Sequence, residues 1–152
     1  MKAISLTQPW ATLVAIGAKR IETRSWRTDY RGPLAIHASK GFPVWARTLC
    51  REEPFRSALA DAGIEMWAEL PRGEVVAICT LTGCPRIRAR STDGTPCITT
   101  LDSLLWRVPS PEREFGDYSY GRWAWLLKDV EPLAKPIPAI GTLGLWEWKD
   151  PR

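Results

Sequence analysis

At 152 residues, 45% hydrophobic and 25% charged, the chain has the make-up of one globular domain spanning 1–152, able to bury about two thirds of the surface its unfolded form exposes. No apolar run approaches the ~20 residues of a membrane helix, and the opening MKAISLTQPW lacks the apolar stretch and cleavage site of a secretory leader, so no membrane partner and a cytoplasmic location are expected. A net charge of +4 with pI near 9.0 is mildly basic and favours polyanionic partners without demanding one.

Lys2 to Leu6 reads as a first strand. Thr7 as N-cap, Pro9 in the first turn and Trp10, Leu13, Val14 and Gly17 at i, i+3, i+4 and i+7 predict a two-turn helix ending at Ile16, with Gly17 just past its end. From Lys19 to Trp26 the pattern alternates, Ile21 and Thr23 against Arg20, Glu22, Arg24 and Trp26, which predicts a strand with one polar face. Thr28 to Gly32 is a turn and Pro33 to Ser39 the next strand. Pro43 and Pro54 break the following segment into short helices, roughly Val44 to Arg51 and Phe55 to Ala62. Gly73 to Leu81, rich in β-branched residues, is the clearest strand.

The segment 84–97 carries Arg86, Arg88 and Arg90 at period two and reads as a basic edge strand or a mobile loop. Thr100 is expected to cap a short helix over 101–106, and Tyr118 to Leu127 to form a long strand. Pro132, Pro136 and Pro138 argue against a central strand between Glu131 and Ala139, and Gly144 to Trp148 closes the chain as a strand. Five or six strands with short helices and no βαβ alternation predict an α+β fold, a small mixed or antiparallel β-barrel with helical insertions.

Four cysteines without a C-x-x-C pair, beside a single histidine, read as free thiols; neither a metal nor another cofactor is expected. Nine tryptophans are many for this length, and tryptophan suits both a core and the stacking of a base. Trp10 and Trp26 flank the polar strand. Lys19 is either a phosphate-binding or basic group or a solvated turn lysine. Glu22 and Arg24 lie on one strand face roughly 6.6 Å apart, where they read a base amine and an anion or pair with each other. His37 is the default proton carrier, with a structural role as the competing reading. Ser39 and Lys40 stand at a strand end, where they either meet a ligand phosphate or serve a turn or helix cap, and Tyr118, Tyr120 and Arg122 share a strand face as further cleft candidates.

Gly17, Lys19, Glu22 and Arg24 form a G-x-K-x-x-E-x-R pattern that resembles the signature of the ASCH domain family, a branch of the PUA-like β-barrels. The resemblance extends through Ser5, Gln8, Pro9 and Trp10 and through the segments LAIHAS, GEVVAICTL, RWAWLL and GTLGLWEW. It implies a PUA-like barrel with a cleft floored by the motif strand, in a superfamily that largely handles RNA, modified bases or nucleotides. One bacterial subgroup hydrolyses N4-acetylcytidine with a lysine and a threonine of this motif and a distant glutamate, and another is a ribonuclease; here Glu22 stands where the threonine nucleophile would be. The expected function is RNA or modified-nucleotide binding through Gln8, Pro9, Trp10, Lys19, Glu22, Arg24, Trp26, Ser39, Lys40, Tyr120 and Arg122. The alternatives are a hydrolase of RNA or an acylated nucleoside using Lys19, Glu22 and His37, and a protein-interaction module contacting a partner through 84–97. The expected partner is RNA or a nucleotide, and the expected state a monomer.

Overall fold

In the computed structural model of the chain, residues 1–99 and 105–152 are described. Strand β1 (Lys2–Leu6) leads into helix α1 (Trp10–Ala15). Thr7 does not cap this helix; the buried Gln8 amide does, its Oε1 accepting the Thr12 N–H at 3.1 Å while its Nε2 donates to the Pro71 carbonyl at 2.7 Å. Gly17 follows the helix at φ +78°, the left-handed stop its sequence position predicts.

The chain continues through β2 (Ile21–Arg24), β3 (Gly32–Ala38), α2 (Val44–Leu49), α3 (Phe55–Asp61) and β4 (Glu74–Gly83). A small antiparallel sheet of β5 (Ile87–Arg90), β6 (Pro96–Thr99) and β7 (Leu105–Arg107) precedes the long β8 (Trp123–Pro138) and the short β9 (Leu145–Glu147). The 84–97 segment therefore supplies an edge strand rather than a loop. The helix expected over 101–106 lies mostly outside the described residues, and Trp106 itself sits in β7.

The main sheet runs β2-β8-β4-β3-β1-β9. Pairing is parallel between β1 and β3 and antiparallel elsewhere, and register shifts between Ile36 and His37 and along β4 and β8 curve it into a half-barrel. The fold is thus the α+β, PUA-like architecture expected, but with nine strands among the described residues instead of five or six.

The bounds expected for β8 shift at both ends: it does not begin at Tyr118, since the chain turns at 120–121, and it runs on through Pro132, Pro136 and Pro138, though not as a central strand there, as those prolines require. The prolines are tolerated because β2 pairs only with Trp123 to Leu126; beyond that β8 has β4 on one side alone, which makes this stretch a sheet edge with irregular register.

The core sits on both faces of the sheet. On one, Ile4, Leu6, Leu34, Ile36, Leu81 and Trp125 meet Ala11, Val14 and Ala15 of α1. On the other, Ala3, Ala35 and Val75 are covered by Trp148, which is why β3 reads as a continuous apolar run. The far side of α1, through Leu13, meets Phe42, Phe55, Leu59 and Phe115 and so fixes α2 and α3 beside β2. All four cysteines are buried free thiols, and burial pushes Cys79 up to about 12. Among the described residues no helix is long and apolar enough to cross a membrane.

Candidate ligand cleft

The helix stop at Gly17 returns the chain so that the Lys19 N–H bonds the Leu13 carbonyl at 2.9 Å and the Lys19 side chain turns inward, where it is fully buried. Its Nζ donates to the Ile21 carbonyl and stands 3.7 Å from Glu22 Oε2 and 3.9 Å from Glu112 Oε1. A buried ammonium needs such partners, and two carboxylates and a carbonyl supply them. Lys19 is thus neither a solvated turn lysine nor exposed to a ligand.

Glu112 begins a 3-10 turn over Glu112–Phe115. Its Oε2 accepts the Arg20 N–H at 2.7 Å and its Oε1 the Ile21 N–H at 3.2 Å, so this loop carboxylate holds the start of β2. Burial pushes its pKa up, while Lys19 and the two backbone N–H groups pull the other way. Sequence reasoning missed Glu112: it lies far from the motif, in a proline-bounded segment without periodicity.

Glu22 is the member of this group that reaches an opening. Its Oε1 is 3.1 Å from Arg24 Nε, an ion pair whose N–H is not aligned for a hydrogen bond, and Arg24 Nη2 donates to the Ser5 carbonyl at 3.0 Å. Above lie two adjoining hollows of about 310 and 390 Å³ that share Trp10, Glu22 and Thr23. The first is rimmed by Arg24, Trp26, Trp45 and Arg122; the second is walled by Phe55, Phe115 and Asp117. Trp10 is anchored by its Nε1 donating to the Phe115 carbonyl at 2.7 Å, and the exposed Trp45 ring leans on it at 5.8 Å and 48°. Trp26 is held edge-on against Trp125 at 4.7 Å. Arg122 Nη2 donates to the Thr23 carbonyl at 3.2 Å, and its Nε lies 3.3 Å from Asp117.

The cleft therefore gathers Trp10, Glu22, Arg24, Trp26 and Arg122 of the expected residues, with Lys19 beneath as a buried counter-charge. Trp45 is an addition; nothing in the sequence distinguishes it from the core tryptophans. Gln8 and Pro9 are buried scaffold outside the lining, and Tyr120 is exposed on a turn away from it, which corrects the shared strand face expected with Tyr118 and Arg122. Tyr118 is buried beneath Gly116, and burial with Glu112 and Glu22 nearby pushes its hydroxyl well above its ordinary range.

His37, Ser39 and Lys40 belong to a different cavity of about 930 Å³, bounded by Arg72 and the 138–143 connection. His37 Nε2 faces the Ala139 carbonyl at 3.1 Å and must carry the proton there; Nδ1 then accepts from Ser5 Oγ at 3.0 Å. Burial lowers the His37 pKa, partly offset by the Ala139 carbonyl. Ser5 lines both cavities, its carbonyl bound to Arg24 and its hydroxyl to His37.

The ASCH domain family model matches residues 4–131. Activating signal cointegrator 1 from Homo sapiens and from Mus musculus is each 33% identical over 81 residues, 53% of this chain but 14% of theirs, so the chain spans a small part of those relatives. A crystal structure of ASCH from Zymomonas mobilis superposes with a TM-score of 0.51 at 14% identity, covering 97% of this chain and 87% of that one, a likeness of fold.

Proposed function

This chain belongs to the ASCH domain family, and from that premise we propose that it binds RNA or a modified nucleotide, holding a base in the cleft above Glu22. The observation that carries the reading is a carboxylate held among aromatic rings: Glu22, fixed from below by Lys19 and from the side by Arg24, lines the first hollow together with Trp10, Trp26 and Trp45. A carboxylate held in place accepts hydrogen bonds from an exocyclic base amine, tryptophan offers a stacking face, and Arg122 at the rim suits a phosphate. Binding is favoured over hydrolysis because Lys19 is fully buried and its Nζ is taken up by Ile21, Glu22 and Glu112, which leaves it no approach to a substrate.

The test is direct binding of a nucleoside and short-RNA panel to the protein and to Glu22→Gln. Loss of the carboxylate is expected to weaken binding about tenfold or more, the value of a hydrogen bond to a charged group. Equal binding by both proteins overturns the proposal. N4-acetylcytidine incubated at high protein concentration is expected to be recovered intact; release of cytidine would transfer the cleft to the hydrolase reading.

A further inference from the structure

On the other side of β1 lies a groove of about 930 Å³, larger than either hollow of the cleft. Its lining carries two cations, Lys40 and Arg72, and no carboxylate. Both side chains are exposed, and among the described residues neither forms a hydrogen bond or ion pair. Across from them the 138–143 connection presents Ile140 and Leu143, 91% and 98% exposed, aliphatic side chains with nothing covering them. The floor is polar and fixed: Ser5 Oγ receives the Trp146 Nε1 hydrogen bond at 3.3 Å and meets His37, while the Ala139 N–H bonds the Gly73 carbonyl at 3.0 Å and ties the connection to the basic side.

A groove with unpaired cations along one wall and bare aliphatic groups along the other matches a ligand that is anionic on one side and flat and apolar on the other. A nucleotide unit has that division, and the volume suits about one such unit. Ser5 lines both this groove and the Glu22 cleft, its hydroxyl toward the one and its carbonyl toward the other, so the two lie on either side of a single residue of β1. We propose that the groove takes the phosphates of the strand adjoining the base held in the cleft, with Lys40 and Arg72 as the phosphate contacts, so that the ligand is a single-stranded polynucleotide rather than a free nucleoside. This rests on the reading of the Glu22 cleft given above. The groove is concave and is separated from the cleft by Ser5 alone, which favours a strand passing over β1 rather than the flat surface of a membrane.

The experiment measures anisotropy of fluorescein-labelled single-stranded RNA of about 12 nucleotides with the full chain, with Lys40→Ala/Arg72→Ala and with Glu22→Gln, across a salt series, alongside calorimetry with cytidine. Both changed cations are exposed, and an unaltered Tm verifies the fold of the double variant. RNA is expected to bind more tightly than cytidine. The double variant is expected to weaken RNA of every sequence alike and to lower the slope of log Kd against log salt by about 1.4, two phosphate contacts at about 0.7 each. An unchanged slope in the double variant, with the parent chain binding RNA, overturns this inference and leaves the cleft reading standing. RNA binding that responds to the double variant but not to Glu22→Gln sustains the groove and overturns the cleft. Failure of the parent chain to bind RNA overturns the inference, and failure to bind cytidine as well overturns both. Sedimentation with phosphatidylserine vesicles that is lost in Ile140→Ser/Leu143→Ser assigns the groove to a lipid surface and overturns it too.

Discussion

Lys19 is a fully buried cation between Glu22 and Glu112, and the three are interdependent. Replacing it with methionine keeps the volume but leaves two carboxylates without their shared counter-charge, so Lys19→Met is expected to lose about 3–5 kcal/mol in urea unfolding. A loss under 1 kcal/mol would show that the carboxylates are adequately served by Arg24 and the backbone. His37 makes a prediction of a different kind. Its folded pKa is lowered from 6.5 by burial, so the unfolded chain takes up a proton that the folded chain resists. Its contribution is present above about 6.5 and is lost as pH falls from there through the lowered folded value. The stability gap between the parent chain and His37→Gln should therefore narrow on acidification below about 6.5; a constant gap refutes this. The spacing of Gly17, Lys19, Glu22 and Arg24 was legible because local geometry alone puts those residues on one turn and one strand face. The inward turn of Lys19 was not, because its cause is Glu112, brought in by a loop whose position only tertiary packing sets.

Between β8 and β9 the connection passes over the histidine with no room to spare. A Cβ on Gly141 would stand 2.4 Å from His37 Cε1 and 2.5 Å from Ser5 Oγ. Gly141→Ala must push the connection away and is expected to cost about 1–3 kcal/mol, with a shift of the His37 imidazole signals in NMR spectra; unchanged signals would mean that the loop yields elsewhere. Elements with local causes matched their sequence closely: β1, α1 with its Gly17 stop, β3, and α2 and α3 set off by Pro43 and Pro54. β8 did not, because three prolines weigh against a strand wherever both edges are paired, and only the topology reveals that half of β8 has one free edge. The same ignorance of neighbours hid the turn at 120–121, which the alternation of Tyr118 and Tyr120 disguises as a strand.

At the scale of the molecule, the two faces of the half-barrel are closed by different parts of the chain. The ASCH domain match ends at residue 131, yet β9 and Trp148 beyond it cover Ala3, Ala35 and Val75, and the Trp148 carbonyl receives the N-terminal ammonium at 2.7 Å. Trp148→Ala is expected to cost about 3–5 kcal/mol in urea unfolding, as a core tryptophan does, and a surface-like loss below 1 kcal/mol would show the outer face to be self-sufficient. The alternation of GTLGLWEW indicated a closing strand but not which sheet face it would seal. The tryptophans, divided between sealed and open positions, also give the chain an optical reporter of its own. Trp125 and Trp148 are enclosed and are expected to emit toward the blue, whereas Trp45, 59% exposed at the cleft rim and 5.8 Å from Trp10, is expected to emit toward the red and to couple with Trp10 in the near-ultraviolet. A ring entering between Trp10 and Trp26 should quench the red side of the emission and leave the blue side intact, so that occupancy of the cleft can be followed without a label and Trp45→Phe removes the signal.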